Sequence, residues 1–215
     1  MLPSMSGELR VCEIFNSIEG EGRRAGKLAA FVRLAGCNLR CSYCDTTYAF
    51  EGGRLMTPEA IFSAVSEMDS VTITGGEPLA QDIRGLLFLL RDHHVNIETN
   101  GSIRLDQYRK YRGVFFTVDY KLPSSGVQAA MLEDNFRILR PFDVLKFVVA
   151  DRRDLDEARR VFFEVRPRCL VYVSPVFGRI EPADIVAYLK AYDLQEWRLQ
   201  LQLHKIIWSP EKRGV

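Results

Sequence analysis

Three thiols stand close together in Cys37-Asn38-Leu39-Arg40-Cys41-Ser42-Tyr43-Cys44. Thiolates are soft ligands that select iron-sulfur clusters or zinc, and spacings of four and three let them converge on one centre from a loop. A closed zinc site takes four protein ligands, whereas a 4Fe-4S cluster on three cysteines keeps one iron open to an outside ligand. Zinc stays open at this point, with His93, His94 or His204 as a fourth ligand. A second candidate is Val71-Thr72-Ile73-Thr74-Gly75-Gly76-Glu77-Pro78, a strand running into two glycines and a carboxylate. Glycines admit a ligand close to the backbone, and Glu77 could accept from an ammonium group; the same residues also suit an ordinary turn.

The elements that must position these groups are legible as alternating periods. Runs of strand length and composition occur at Leu28 to Leu34, Val71 to Thr74, Val95 to Glu98, Val114 to Val118, Val144 to Val149, Leu170 to Val173 and Leu199 to His204. Between several of them lie helical periods. Thr57-Pro58-Glu59-Ala60 places a capping hydroxyl before a proline, followed by Ile61, Phe62, Val65 and Met68 on one face. Further helical sets are Ile83, Leu86, Leu87 and Leu90; Leu155, Ala158, Phe162 and Val165; and Ile185, Val186 and Leu189. This order predicts an α/β fold with a largely parallel sheet. A full eight-unit barrel takes about 250 residues, so a chain of 215 predicts an abbreviated, incomplete β/α barrel, with residues 1–215 as one domain. The Glu51-Gly52-Gly53 segment reads as a local turn.

Polar groups recur at the strand ends: Glu98-Thr99-Asn100-Gly101, Asp119-Tyr120-Lys121, Lys146 and Ser174-Pro175. Ligands of parallel sheets collect outside the carboxyl ends of strands, so these groups point to one shared site. Lys146 interrupts an apolar run and reads as a lysine snorkelling from a partly exposed strand. Near the C-terminus, Leu199 to His204 alternates strictly, which would put Gln200, Gln202 and His204 on one strand face.

Composition narrows the function classes. Lys and Arg (29) nearly balance Asp and Glu (28), for a net charge of +1 and 47% hydrophobic content. The charges are dispersed along the chain, so no basic face for nucleic acid is expected. No apolar run approaches the roughly 20 residues of a membrane span, and Met1 to Glu8 lacks a signal-peptide layout; no membrane association and a cytoplasmic location are the expectations. Five cysteines, three of them clustered, suit metal binding in a reducing compartment. Cys12 and Cys169 read as small buried residues.

The Cys-x3-Cys-x2-Cys and Gly-Gly-Glu pair resembles the radical S-adenosylmethionine superfamily. There the open iron chelates the methionine amino and carboxylate groups, and the Gly-Gly-Glu segment binds the amino group. The ordered set Ser17-Ile18-Glu19-Gly20-Glu21-Gly22, Phe31 to Cys37, Cys44-Asp45-Thr46, Thr74 to Pro78, Glu98 to Gly101 and Gln202-Leu203-His204-Lys205 is similar to 7-carboxy-7-deazaguanine synthases. The similarity runs from Glu13 to Trp208. It implies ring contraction of 6-carboxy-5,6,7,8-tetrahydropterin to 7-carboxy-7-deazaguanine with loss of ammonia, in the queuosine and deazapurine pathways.

The resemblance also implies a site. Cys37, Cys41 and Cys44 would hold a 4Fe-4S cluster; Tyr43, Gly75, Gly76, Glu77, Glu98, Asn100, Asp119, Lys121 and Ser174 would bind S-adenosyl-L-methionine; Thr46 would ligate Mg2+. Ile18, Glu19, Gly20, Glu21, Arg33, Asp45, Thr74, Gln202 and His204 would bind the pterin, with the segment 198-215 completing its pocket. An electron donor such as flavodoxin or ferredoxin and a homodimer are implied as well. Two features depart from the pattern: Glu19 stands where many members carry Gln, and the chain continues from Trp208 to Val215 where some end. A glycyl-radical activating enzyme would share the cysteines and Gly-Gly-Glu but has no need of Glu21, Arg33 and the Gln202-to-His204 ending.

Overall fold

The computed structural model describes residues 7–215; most of the Met1 to Glu8 stretch lies outside the described residues. Its strands are β1 (Leu9–Ile18), β2 (Leu28–Leu34), β3 (Arg54–Met56), β4 (Ser70–Gly75), β5 (His94–Thr99), β6 (Val114–Tyr120), β7 (Val144–Val149), β8 (Leu170–Pro175) and β9 (Trp197–Leu199). They form one sheet in the order β3-β1-β2-β4-β5-β6-β7-β8-β9. β1 is antiparallel to β2 and β3, and every pairing from β2 onward through β9 is parallel. The two end strands do not pair with each other, so the barrel is open, as expected.

The helices are α1 (Pro58–Val65), α2 (Arg84–Leu89), α3 (Glu133–Arg137), α4 (Arg152–Val165), α5 (Pro182–Ala191) and α6 (Leu203–Ile207). α1 starts where the sequence places it: the Thr57 hydroxyl accepts from the Ala60 N–H at 3.2 Å, a cap whose loss costs about 1 kcal/mol. α4 starts on the Asp151 carboxylate, which accepts from the Asp154 N–H at 3.0 Å. It ends at Arg166, held at φ 49, whose N–H returns to the Phe162 carbonyl at 2.8 Å. The β5-to-β6 connection contains only a short 3-10 turn, Asp106–Tyr108, in keeping with its lack of an apolar period.

Strand alternation divides the sheet into two unlike faces. Toward the helices point Val32, Leu34, Ile73, Ile97, Phe116, Val118, Leu145, Phe147 and Val173, each at most 1% exposed. Burial of each stabilises by about 1.5–3 kcal/mol, and the Phe147 ring stacks on Trp197 with centroids 5.3 Å apart. The residues between them, Arg33, Thr72, Thr74, Asn96, Glu98, Thr117, Asp119, Lys146 and Ser174, face the other way. That second face is polar and still largely buried.

Three sequence expectations are corrected. The run Leu199 to His204 is not a strand: β9 stops at Leu199 and α6 begins at Leu203, so Gln200, Gln202 and His204 do not share a strand face. Lys146 does not snorkel; its side chain is 11% exposed and ion-paired. β1 is a ten-residue strand that the alternation hides, because a bulge between Val11 and Glu13 shifts the register and reverses which residues face the core. Cys12 sits in that bulge and, like Cys169, is only partly buried.

Candidate active site

The loop carrying Cys37, Cys41 and Cys44 leaves the carboxyl end of β2 and is tied to the ends of its neighbours. Gly36 donates to the Ala49 carbonyl at 2.7 Å and accepts from the Glu77 N–H at 2.8 Å. Asn38 donates to the Ser102 hydroxyl at 2.8 Å and accepts from the Asn100 side chain at 3.0 Å. Ser42 donates through its N–H to the Ser125 carbonyl at 3.0 Å and through its hydroxyl to that of Ser124 at 2.6 Å. Tyr43 reaches the Val148 carbonyl on β7 at 3.5 Å. A side chain on Gly76 would collide with the Gly36 carbonyl and approach the Cys37 Cβ to 3.0 Å, so the second glycine of the pair is required for the two loops to pack.

The donor set fits a 4Fe-4S cluster. Burial raises the Cys41 and Cys44 thiols; Cys44 and Cys37 raise Cys41 further, Cys37 raises Cys44, and Lys121 lowers both; the sulfurs therefore share one neighbourhood beside an ammonium. No group of three His, Cys, Asp or Glu side chains among the described residues is drawn in around a single ion. A cluster asks for something wider, one thiolate per iron at separate corners. The Cys37 sulfur also accepts from the Leu39 N–H at 3.4 Å, an outer contact of the kind that tunes such a centre. S-adenosylmethionine fits as well: the Ser174 hydroxyl at the end of β8 is fully buried with no partner among the described residues, an orphan that a bound polar group would satisfy.

Glu77 has a role that the motif alone does not reveal. Its fully buried carboxylate accepts from the Leu79 N–H at 2.9 Å, the Thr99 hydroxyl at 2.8 Å and the Asn100 N–H at 2.7 Å. Burial raises its pKa against the pull of those donors. It thus clamps the end of β4 to that of β5, which sets Asn100 against the cysteine loop.

Along the polar face runs a chain of alternating charges. Lys146 pairs with Glu21 at 2.8 Å and Asp119 at 3.2 Å, and Lys121 pairs with Asp119 at 2.8 Å. Burial would lower the Lys146 ammonium, but Asp119, Glu21 and Glu98 hold it well above its ordinary value. Burial would likewise raise Glu21 and Asp119; the lysines hold both below the usual carboxylate range. Glu98 differs: burial pushes it up to about 7, with Glu19 and Glu21 adding to the rise and Lys146 and Thr74 opposing it.

The C-terminal segment closes this face. Gln200 brackets Gly22, accepting from its N–H at 2.7 Å and donating to its carbonyl at 3.0 Å. Gln202 donates to Glu21 at 2.9 Å, and the Leu203 N–H donates to the Gly20 carbonyl at 3.0 Å. The His204 ring occupies the space that a side chain on Gly20 would need; burial lowers its pKa against the pull of Glu21 and Asp45. Lys205 pairs with Asp45 at 2.8 Å. What burial Asp45 has would raise it, but Lys205 brings it down to about 2, and Thr46 donates to its other oxygen at 2.9 Å. Gln202, His204 and Glu21 thus come together without the strand expected of them.

Comparison with known proteins places this architecture. The Radical SAM superfamily profile matches residues 32–167. The chain belongs to that superfamily. Within it, the chain is 45% identical to the 7-carboxy-7-deazaguanine synthase of Clostridium acetobutylicum, over 96% of this chain and 99% of that one. It is 42% identical to the protein of that name from Chlorobaculum tepidum, over 99% and 100%. It therefore belongs to the 7-carboxy-7-deazaguanine synthase family. The crystal structure of QueE from Escherichia coli shares the fold, with a TM-score of 0.72 over 91% of this chain and 94% of that one at 23% identity.

In this radical S-adenosylmethionine fold, Arg33 lies on the polar face beside Thr74. Its Nε donates to Glu13 at 2.7 Å, and the guanidinium carbon stands 5.8 Å from the Phe15 ring and 5.9 Å from that of Tyr48. Its terminal nitrogens meet no protein acceptor among the described residues. Glu13, Tyr48, Gln200 and Lys205 were not evident from the sequence as site residues: each acts on a neighbour through space, and only the charged intruder in the apolar run, Lys146, carried a local signal. Five arginines are less dispersed than composition suggests, since Arg109, Arg137, Arg140, Arg166 and Arg168 line a cleft of about 500 Å3. Three of them, Arg109, Arg140 and Arg166, donate to the backbone carbonyls of Ile138, Val114 and Phe163.

Proposed function

We infer that this enzyme contracts 6-carboxy-5,6,7,8-tetrahydropterin to 7-carboxy-7-deazaguanine with release of ammonia, for queuosine or deazapurine biosynthesis. The observation that carries the reading is the seam between residues 18–22 and 200–205, two of the family's segments, which meet over the polar face with Glu21 between Gln202 and Lys146. Cys37, Cys41 and Cys44 would hold a 4Fe-4S cluster, which, once reduced by a one-electron donor, would supply with S-adenosylmethionine the radical chemistry needed to take the C6 hydrogen of the pterin. The protein positions the substrate and excludes water. The open fork of Arg33 is placed to take the substrate carboxylate. Glu21, Thr74, His204 and the backbone of Ile18, Glu19 and Gly20 offer partners to the ring edge. Glu98, a carboxyl able to hold a proton near neutrality, lies on the same face.

Further parts of the reading rest on chemistry. Thr46, beside the ionised Asp45, suits Mg2+, which keeps water and substrate oxygens among its ligands. Tyr43, Gly75, Gly76, Asn100, Asp119, Lys121 and Ser174, at the strand ends around the cysteine loop, suit S-adenosylmethionine, with Glu77 beneath them as a clamp. A one-electron donor such as flavodoxin or ferredoxin is required to reduce the cluster. A homodimer is supported by the exposed Phe177, Leu201, Ile206 and Ile207, 39% to 63% exposed, which a second copy would cover. A cytoplasmic location suits the thiols, and no helix among the described residues is long and apolar enough to cross a membrane. The test is anaerobic incubation of the reconstituted protein with the carboxy-tetrahydropterin, S-adenosylmethionine, Mg2+ and a reductant. Formation of 7-carboxy-7-deazaguanine is expected; none would reject the substrate while leaving the superfamily intact.

A further inference from the structure

The far end of the polar face, away from the cysteines, is closed by one buried cation. Arg24 lies in the turn between β1 and β2 and folds under the amino ends of β4 and β5. It donates to the His94 carbonyl at 2.7 Å, the Thr72 hydroxyl at 2.8 Å and the Val71 carbonyl at 3.3 Å, and it ion-pairs with Glu19. Thr72 in turn donates to Glu19, and the guanidinium carbon stands 5.1 Å from the Phe115 ring. The side chains of Arg24 and Glu19 are 11% and 2% exposed, so each charge depends on the other. The turn is held at its backbone as well: the Glu19 N–H donates to the Lys27 carbonyl, and the Gly26 N–H to that of Glu19, both at 2.8 Å. Glu21 is two residues from Glu19 and three from Arg24, in the same turn.

We propose that Arg24 is a positioning residue for the substrate site, and that Glu19 serves that site through Arg24 and not through its own side chain. The pair latches the β1–β2 turn onto β4, β5 and β6, and the latch presents the backbone of Ile18 to Gly20 and the carboxylate of Glu21 to the substrate. The carboxylate of Glu19 is itself taken up by Arg24 and Thr72. This inference rests on the pterin reading for the identity of the ligand but not for the latch itself.

The test is a double-mutant cycle with Arg24→Gln, Glu19→Gln and the pair, read by pterin KM and kcat under anaerobic conditions. Cluster absorbance and slow S-adenosylmethionine cleavage without substrate serve as readouts that the latch should not move. Arg24→Gln is expected to raise pterin KM at least tenfold with a smaller change in kcat. Arg24→Lys, which keeps the charge and some of the contacts, should recover part of the loss. Glu19→Gln should add little once Arg24 is gone, because contacting partners are coupled. Unchanged KM in Arg24→Gln, or a Glu19→Gln effect equally large in both backgrounds, overturns the proposal. Should Arg24→Gln fail to fold, Thr72→Val removes the hydroxyl's two hydrogen bonds, to Arg24 and Glu19, but leaves their ion pair, and should give a smaller rise in KM; no rise would also overturn it. If the wild type does not turn over the pterin, the functional reading fails while the latch stays testable. Amide exchange across residues 19–27 must then be faster in Thr72→Val than in wild type, and equal rates reject it.

Discussion

The two faces of the sheet use the same strands for opposite purposes. Toward the helices, Ile97, Phe116 and Phe147 are buried among apolar neighbours, and each contributes stability without direction. One residue along, Asn96, Thr117 and Lys146 are nearly as enclosed, yet each has a named partner: Thr117 donates to Asn96 at 3.1 Å, and Lys146 bridges two carboxylates. Buried polar groups of this kind cost free energy unless satisfied. Their networks give geometry more than stability. The helix face therefore sets whether the chain folds, and the polar face sets what the folded chain can hold.

Substitutions should separate the two. The largest expected effect is Cys41→Ala, which leaves two thiolates and should abolish the visible absorbance and iron content of the centre with all turnover; iron retained at the wild-type level would break the ligand assignment. Next is Arg33→Ala. Loss of a charged partner in a largely desolvated pocket costs roughly 2–5 kcal/mol, or roughly thirtyfold to several-thousandfold in pterin affinity. The cluster should stay intact, and equal affinities by anaerobic titration would remove Arg33 from the substrate site. Phe147→Ala, on the opposite face, should cost about 3–5 kcal/mol of stability by urea unfolding while leaving KM unchanged in the fraction that folds.

The smallest effect concerns pH. Burial raises Glu98 to about 7 from the ordinary carboxylate value of 4.5, so the folded protein binds more protons than the unfolded chain between those values. The Glu98 contribution is then most favourable below pH 4.5 and is lost as pH rises through 7. Wild type should therefore lose stability relative to Glu98→Gln between pH 5 and pH 8. A constant difference between their unfolding midpoints would mean that Glu98 titrates normally.

Most of the helix face was legible in the sequence, because Ile73, Ile97, Val118 and Phe147 obey a period of two and α1 announces itself with Thr57-Pro58. The cysteine loop was legible by spacing alone. β1 was hidden by its bulge, and the ending at Gln200 to His204 was misread, since a chain that alternates polar and apolar residues can also be a turn entering a helix. The partners of Glu19, Arg24 and Lys205 could not be read at all: they lie 53, 47 and 160 residues away at Thr72, Val71 and Asp45, and no local period reports such distances. Where function depends on pairs of this kind, likeness to a family carries information that periodicity lacks.

The central claim is that the polar face brings a pterin against radical chemistry begun at the cysteine loop. The most direct measurement uses the carboxy-tetrahydropterin deuterated at C6, incubated anaerobically with enzyme, S-adenosylmethionine, Mg2+ and reductant, followed by mass spectrometry of the recovered cofactor. Deuterium should appear in S-adenosylmethionine as 7-carboxy-7-deazaguanine forms, because the hydrogen leaves C6 for the adenosyl carbon and the cofactor is rebuilt. Product formed with all the deuterium released to water would contradict the account.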